Sequence, residues 1–213
     1  TEQLNAVIHH EEFQKLESSW RGLAYTINNS ETDASLRVKA MNVSKKELQQ
    51  SMRRYPGAKW DKSPLNQRIY EAEFGTLGGK PYGALIGDYY FDHSSADVAL
   101  LRDMGKIAAA AHAPFVSAAA PELLGMDSWT EMSTPPDLSE IFDTPDYAAW
   151  NGLRDSENSR YVALTLPRVL SREPYGQNSN SVVEEFNFEE ETDGHAGTQY
   201  AWMNAAHAMA VNI

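Results

Sequence analysis

Near the middle of the chain, a strand, a helix and a second strand follow one another directly, and this succession restricts the fold most. Gly83 to Tyr90 is apolar and partly aromatic, which is typical of a buried strand. Residues 92–95 then supply N-cap side chains, and Pro114 ends the helix because it lacks an N–H. Phe115 to Ala120 is the second strand. Apolar residues recur at helical spacing between the strands, at Val98, Leu101, Met104, Ile107, Ala108 and Ala111. A helical crossover of this kind predicts parallel strands.

The predicted fold class is α/β, with a mixed, mainly parallel sheet that carries helices on its faces; an α+β arrangement stays open. Tyr161 to Leu166 is strongly strand-like and adds a third strand. The chain has 213 residues, of which 42% are hydrophobic and 23% are charged, as in an ordinary globular protein. No convincing domain boundary is visible, so we treat residues 1–213 as a single unit.

Capping residues predict the starts of two further helices. Ser44 is suited to cap a helix that begins at Lys45. Ser63 is suited to cap a helix whose first residue is Pro64, a favoured position for proline. A helical pattern at the N-terminus is predicted to end at Gly22, because glycine commonly follows the last residue of a helix.

Three weaker patterns complete the secondary-structure prediction. Leu23 to Ile27 predicts a short strand directly after the first helical segment. Leu36 to Asn42 alternates only in part between apolar and polar residues, yet it also predicts a strand. The alanine-rich stretch from Tyr200 to Val211 predicts a C-terminal helix.

Composition argues against several classes of function. The chain contains no cysteine, which excludes disulfides and thiolate metal sites. Its net charge of −12 argues against general affinity for nucleic acid or anionic membranes. No apolar run approaches the roughly 20 residues that a membrane-spanning helix needs, and no signal peptide is visible. The chain lacks an initiator Met and opens inside an apparent helix, which suggests a fragment.

The motifs that would indicate catalysis or metal binding are incomplete. The glycine-rich stretch 75–80 is not a phosphate loop, because Phe74 and Pro81 occupy the positions of an obligatory Gly and Ser or Thr. A zinc-protease pattern opening at His10 fails, because Gln14 stands where the second histidine belongs. We therefore predict no catalytic, cofactor-binding or metal-binding residue from these motifs.

Asp88 supports an alternative hypothesis, a small-molecule-binding α/β enzyme. This residue lies near the C-terminal end of a predicted strand, where ligands bind in open parallel sheets. Capping of a turn is the competing interpretation of the same side chain. A deep pocket with converging polar groups at Asp88 would favour the enzyme. Flat surfaces and unpaired strand edges would favour a structural protein.

Five stretches, in order along nearly the whole chain, resemble TssC (also called VipB), the family of large sheath subunits of the bacterial type VI secretion system. They are HHEEFQKLESSWRGL at 9–23, FGTLGGKPYGALIGD at 74–88, AAAAHAPF at 108–115, SRYVALTLPR at 159–168 and EEFNF at 184–188.

The resemblance implies a structural subunit, not an enzyme, that works in the bacterial cytoplasm without a cofactor. It implies polymerisation with the small sheath subunit TssB (VipA) and with other TssC-like subunits around a tube of Hcp protein, and contraction that propels the tube. Family members extend beyond both ends of this chain. The segment that precedes it in the family pairs with neighbouring subunits and is recognised by the ATPase ClpV, so this fragment alone is expected to form no sheath.

An acidic stretch from Glu184 to Asp193 is the candidate subunit contact within the chain. The stretch is either a solvated loop or a surface that meets basic residues of a neighbouring subunit. In an extended conformation Phe186 and Phe188 would share one side and anchor the stretch, while the carboxylates face outward. The candidate contact residues are Glu184, Glu185, Glu189, Glu190 and Glu191.

Overall fold

A computed structural model describes residues 2–176 and 187–213. The strands are β1 (Leu85–Phe91), β2 (Phe115–Ala119), β3 (Val162–Thr165), β4 (Val169–Leu170) and β5 (Trp202–Met203). The α-helices are α1 (Glu2–Ile8), α2 (Glu11–Asn28), α3 (Lys45–Arg53), α4 (Pro64–Asn66), α5 (Ser95–Ala111), α6 (Leu138–Phe142), α7 (Ala148–Arg154) and α8 (Ala205–Ala210). A π-helix, Gln67–Phe74, continues α4. The 3₁₀ helices are Gly57–Lys62, Pro121–Leu124, Trp129–Ser133, Pro145–Tyr147, Glu157–Tyr161 and Gly194–Ala196.

The three predicted strands form one parallel sheet in the order β1–β2–β3. Leu85 of β1 is opposite Phe115 of β2, and Phe115 is opposite Val162 of β3. All five residues of β2 are buried, as expected for the central strand of a parallel sheet. A separate two-stranded antiparallel sheet joins β4 to β5. The architecture is therefore mixed α/β, which confirms the predicted fold class at that level.

Helix α5 provides the centre of the hydrophobic core. Ser94 caps it by accepting a hydrogen bond from the backbone N–H of Asp97, as predicted. Its C-terminal cap is His112 in the left-handed conformation, and Pro114 follows. The α5 side chains that bury apolar area against Phe91 and Phe115 are Val98, Leu100, Leu101, Met104, Ile107, Ala108 and Ala111. Each fully buried Val, Leu, Ile or Met contributes roughly 1.5–3 kcal/mol.

Helices cover both faces of the parallel sheet. On one face, Tyr89 and Phe91 of β1 pack with α5. On the other face, Asp88 of β1 contacts Ser19 of α2 and His207 of α8. This arrangement satisfies the requirement that a parallel sheet be covered on both sides.

The predicted caps of α3 and α4 are confirmed. Ser44 and Glu47 form a reciprocal capping box at the start of α3. The Ser63 hydroxyl accepts a hydrogen bond from the backbone N–H of Asn66, and Pro64 is the first residue of α4. The Ser44 and Ser63 hydroxyls and the Glu47 carboxylate accept hydrogen bonds from backbone N–H groups that have no partner within the helix.

Three secondary-structure predictions are wrong. Helix α2 does not end at Gly22 but continues to Asn28, so the predicted strand from Leu23 to Ile27 is its last two turns. Residues 36–42 form no strand, because their mostly exposed backbone pairs with no strand of the described chain. The predicted helix from Tyr200 begins only at Ala205, because Trp202 and Met203 pair with β4 instead.

Candidate functional site

Asp88 lies within β1, three residues before its end, and its carboxylate contacts two helices. The Ser19 hydroxyl of α2 donates a hydrogen bond to Asp88 Oδ2 at 2.5 Å. His207 Nε2 of α8 lies 3.7 Å from Asp88 Oδ1, an ion-pair distance rather than a hydrogen-bond distance. Burial raises the pKa of Asp88, but His207 and Ser19 outweigh burial and hold this pKa below its usual value. The site therefore stabilises the ionised carboxylate.

This group of polar residues does not reproduce a Ser–His–Asp catalytic relay. In such a relay, His accepts the proton of Ser while Asp orients His. Here Ser19 donates to Asp88 instead, and His207 Nδ1 lies 3.3 Å from the Thr26 hydroxyl. Within the described chain, His207 Nε2 is buried without a hydrogen-bond partner. The geometry therefore joins α2, β1 and α8, and it shows no nucleophile activated by a base.

Gly22 explains why α2 and α8 approach so closely at this point. A Cβ atom at Gly22 would lie 2.3 Å from His207 Cδ2, much closer than van der Waals contact. The Thr26 hydroxyl, one helical turn further on, contacts both the backbone oxygen and the ring of His207. The glycine is therefore a packing residue within α2 rather than the residue after its last turn.

Glu190, one of the five candidate contact residues, lies in a buried ionic cluster. Arg172 Nη1 donates to Glu190 Oε2 at 2.6 Å, and Arg172 Nε donates to Glu17 Oε1 at 2.8 Å. The backbone N–H of Tyr175 donates to Glu190 Oε2 at 2.8 Å, and His9 Nε2 lies 3.2 Å from Glu190 Oε1. The side chains of Arg172 and Glu190 are only 5% and 1% exposed.

The expectation that the carboxylate of Glu190 faces outward is therefore wrong. A buried guanidinium requires compensating carboxylates, and Glu190 supplies one of them to Arg172. Burial raises the pKa of Glu17, but hydrogen bonds from Arg172 and Arg21 outweigh burial and hold it below its usual value. Burial lowers the pKa of Arg172, but its hydrogen bonds to Glu17 and Glu190 outweigh burial and hold this pKa above its usual value. The cluster joins α2 to the segment around residue 190.

The other acidic candidates have different outcomes. Glu184 and Glu185 lie outside the described residues, as does Phe186. Glu189 and Glu191 are exposed, and their role in a subunit contact stays a prediction. Phe188 is buried against the ring of Tyr175, as expected of an anchor for this stretch.

A basic surface, which the prediction missed, is formed by residues 37–80, which comprise α3, α4, the π-helix and the segments that flank and connect them. Its groove has a volume of about 610 Å³ and is lined by apolar and polar side chains in similar proportion. Met41, Leu48 and Leu65 are among the apolar ones, and Glu47 and Arg68 are the charged ones. The net charge of −12 conceals this surface, and counting charges segment by segment would have found it.

Helix α2 exposes a stripe of large apolar side chains on the side away from α8. Phe13, Leu16, Trp20 and Ile27 are spaced by three, four and seven residues, so they share one face of the helix. Trp20 is 65% exposed. Contiguous exposed apolar area of this kind commonly marks a protein–protein contact.

The described residues contain neither a group of side chains that could hold a metal ion nor a membrane-spanning helix. In 2–176 and 187–213, no three His, Asp or Glu side chains are grouped so that they could hold a metal ion. None of the helices in those ranges has both the length and the apolar character required to cross a bilayer.

Comparisons with known proteins give concordant results. The family model VipB, described as "EvpB/VC_A0108, tail sheath N-terminal domain", matches residues 1–213. The type VI secretion system sheath protein TssC1 of Pseudomonas aeruginosa strain PAO1 is 56% identical over all 213 residues. The match covers 100% of this chain but only 43% of that relative, so the chain spans less than half of its length.

Proposed function

Because the chain belongs to the VipB family of tail sheath proteins, we propose that it is part of a structural subunit of the type VI secretion contractile sheath. The observation that carries this proposal is the match of the family along the whole chain. The sequence identity of 56% to a sheath protein supports the same conclusion. The sheath-like character of the fold is part of this proposal.

In this proposal the subunit polymerises in the bacterial cytoplasm with the small sheath subunit TssB and with further copies of its own kind. The polymer surrounds a tube of Hcp protein, and its contraction propels that tube. Contraction of this type exchanges one packing of rigid subunits for another, so it needs no chemical step within the subunit. ClpV then disassembles the contracted sheath by acting on another part of the polypeptide.

Unpaired strand edges support an assembling protein. Within the described ranges, β1 and β3 each pair only with β2, so each has one edge without a strand neighbour. Lys45 of α3 already contacts the β1 edge through the backbone oxygen of Tyr90. The β3 edge can accept a strand from another chain, and the backbone hydrogen bonds formed then supply much of the affinity. The exposed apolar stripe of α2 is a second surface whose burial would stabilise an assembly.

The test is co-expression of the full-length protein with TssB, followed by electron microscopy. The expected result is long tubular sheaths that are absent when either subunit is expressed alone. A matched control is the full-length protein co-expressed with an unrelated small soluble protein. Soluble, folded subunits that bind each other yet never form tubules would contradict the proposal.

A further inference from the structure

Positive charge is concentrated in one part of this acidic chain. Residues 37–80 contain 10 Lys or Arg and 4 Asp or Glu, whereas the other 169 residues contain 8 and 26. The basic part includes α3, α4 and the π-helix, which pack together beside β1. Lys45 Nζ of α3 donates to the backbone oxygen of Tyr90 at 2.7 Å, which attaches this part to the β1 edge.

Most cations of this basic surface are exposed, and no carboxylate in the described chain pairs with them. Lys39 and Lys45 are exceptions, because they pair with Glu73 and Asp97. The exposed cations of residues 37–80 that form no ion pair with a described residue are Arg37, Lys46, Arg53, Arg54, Lys59, Lys62, Arg68 and Lys80. Unpaired like charges at this density repel one another, so an acidic partner would stabilise the surface.

A second surface of the same chain has the complementary charge. The acidic surface, residues 122–155, lies between the end of β2 and the 3₁₀ helix that leads into β3. It contains one cation, Arg154. Its exposed acidic residues are Glu122, Asp127, Glu131, Asp137, Glu140, Asp143, Asp146 and Asp155.

The two charged surfaces do not neutralise each other within one molecule. In the described part of the chain, no ion pair joins a cation of 37–80 to a carboxylate of 122–155. Both surfaces reach β1 at different points: Lys45 of the basic surface contacts Tyr90 within the strand, whereas Tyr147 of the acidic surface stacks on His93, two residues after the strand ends. Each surface is therefore free to meet its complement on a different molecule.

We propose that the basic surface of one subunit docks against the acidic surface, residues 122–155, of a second copy. This inference rests on the proposed function, and it names the surfaces through which copies meet. Because two different surfaces come together, the contact is head-to-tail, and a head-to-tail contact that does not close into a ring generates an open polymer. The groove beside Arg68 adds apolar area to an otherwise electrostatic contact.

The test reverses two charges on the basic surface of the full-length protein, Arg53→Glu with Arg68→Glu. The control reverses two cations that lie outside both charged surfaces and outside α2, Lys106→Glu with Arg160→Glu, and changes the net charge equally. One readout is co-purification of untagged with tagged copies, and the other is the number of sheaths formed with the partner subunit. We expect at least a tenfold loss in both readouts for the first variant, and little change for the control.

Reversing charges on both surfaces, singly and together, distinguishes docking between them from a general effect of net charge. Glu140→Lys with Asp143→Lys should cause the same loss, and the protein that carries all four reversals should regain self-association. High salt should weaken wild-type self-association, because charges are screened over about 8 Å at physiological ionic strength. Circular dichroism and binding of the partner subunit establish that each variant is folded.

Two outcomes would overturn the inference. One is self-association of the Arg53→Glu, Arg68→Glu variant equal to that of the control at both low and high salt. The other is co-purification of nucleic acid that depends on these two arginines, which would make a polyanion the occupant of the basic surface. If wild-type copies self-associate through these surfaces but never form sheaths, the proposed function fails while the docking inference stands.

Discussion

Gly22 of helix α2 allows a decisive test of how closely α2 packs against α8. A Cβ atom at this position would lie 2.3 Å from His207 Cδ2 and 2.8 Å from His207 Nε2. Ordinary contact requires at least about 3.4 Å, so the Gly22→Ala substitution displaces the ring or the helix by about 1 Å. His207 is buried and contacts the Thr26 hydroxyl, so neither displacement is free of cost.

The expected magnitude follows from three effects. Alanine in a helix interior is more favourable than glycine by about 1 kcal/mol. Overpacking of a buried site costs about 1–3 kcal/mol, and weakening the Thr26–His207 contact costs about 1 kcal/mol more. Gly22→Ala is therefore expected to lower the free energy of unfolding by about 1–3 kcal/mol, although helix propensity alone predicts a gain.

The measurement is urea unfolding of the 213-residue chain, followed by circular dichroism. Gly152→Ala in α7 is the matched control, because the nearest atom to its Cβ would be Arg102 Nη2 at 3.9 Å. This control is expected to gain up to about 1 kcal/mol. The double variant Gly22→Ala, His207→Ala should lose less than the two single losses combined, since the collision is removed. If Gly22→Ala is as stable as Gly152→Ala, α2 and α8 do not pack as described.

Four further predictions concern the ionic cluster, Asp88, a helix cap and assembly. Arg172→Met leaves Glu190 buried without its guanidinium partner, so urea unfolding should show that the free energy of unfolding falls by about 3–5 kcal/mol. The control Arg160→Met removes an exposed ion pair and should lower it by less than about 0.5 kcal/mol. Since the pKa of folded Asp88 is lowered, its contribution to stability is present above the unfolded pKa of about 3.9 and is lost as pH falls through the folded value. The loss of unfolding free energy that Asp88→Asn causes at pH 7 should therefore shrink below about pH 4, as measured by unfolding at a series of acid pH values. Ser44→Ala removes the capping box of α3 and should cost about 1 kcal/mol in the same assay, with exposed Ser133→Ala, in a 3₁₀ helix, as the control. Residues 1–213 alone should sediment as a monomer or small oligomer, and tubules from this chain by itself would contradict the requirement for partner surfaces.

The sequence was sufficient where short-range signals decide the structure. The strands around Leu85, Phe115 and Val162, and the helix between the first two, follow from apolar runs, N-cap residues and one proline. The caps at Ser44 and Ser63 were predicted for the same reason, because a cap involves residues only three positions apart. The order of five local motifs was enough to identify the family, which the family match confirms.

Only the tertiary structure decided the features that depend on residues distant in the chain. Gly22 resembled the end of a helix, but it is glycine because His207 packs against it, and α2 therefore continues. Glu190 resembled a solvated carboxylate, but Arg172 removes it from water through direct hydrogen bonds. The sequence contains the excess of positive charge in residues 37–80, but only the tertiary structure shows that α3 and the π-helix share a groove there. In each case a long-range partner changes the environment of a residue whose local sequence favours another structure, and burial against that partner outweighs the local preference.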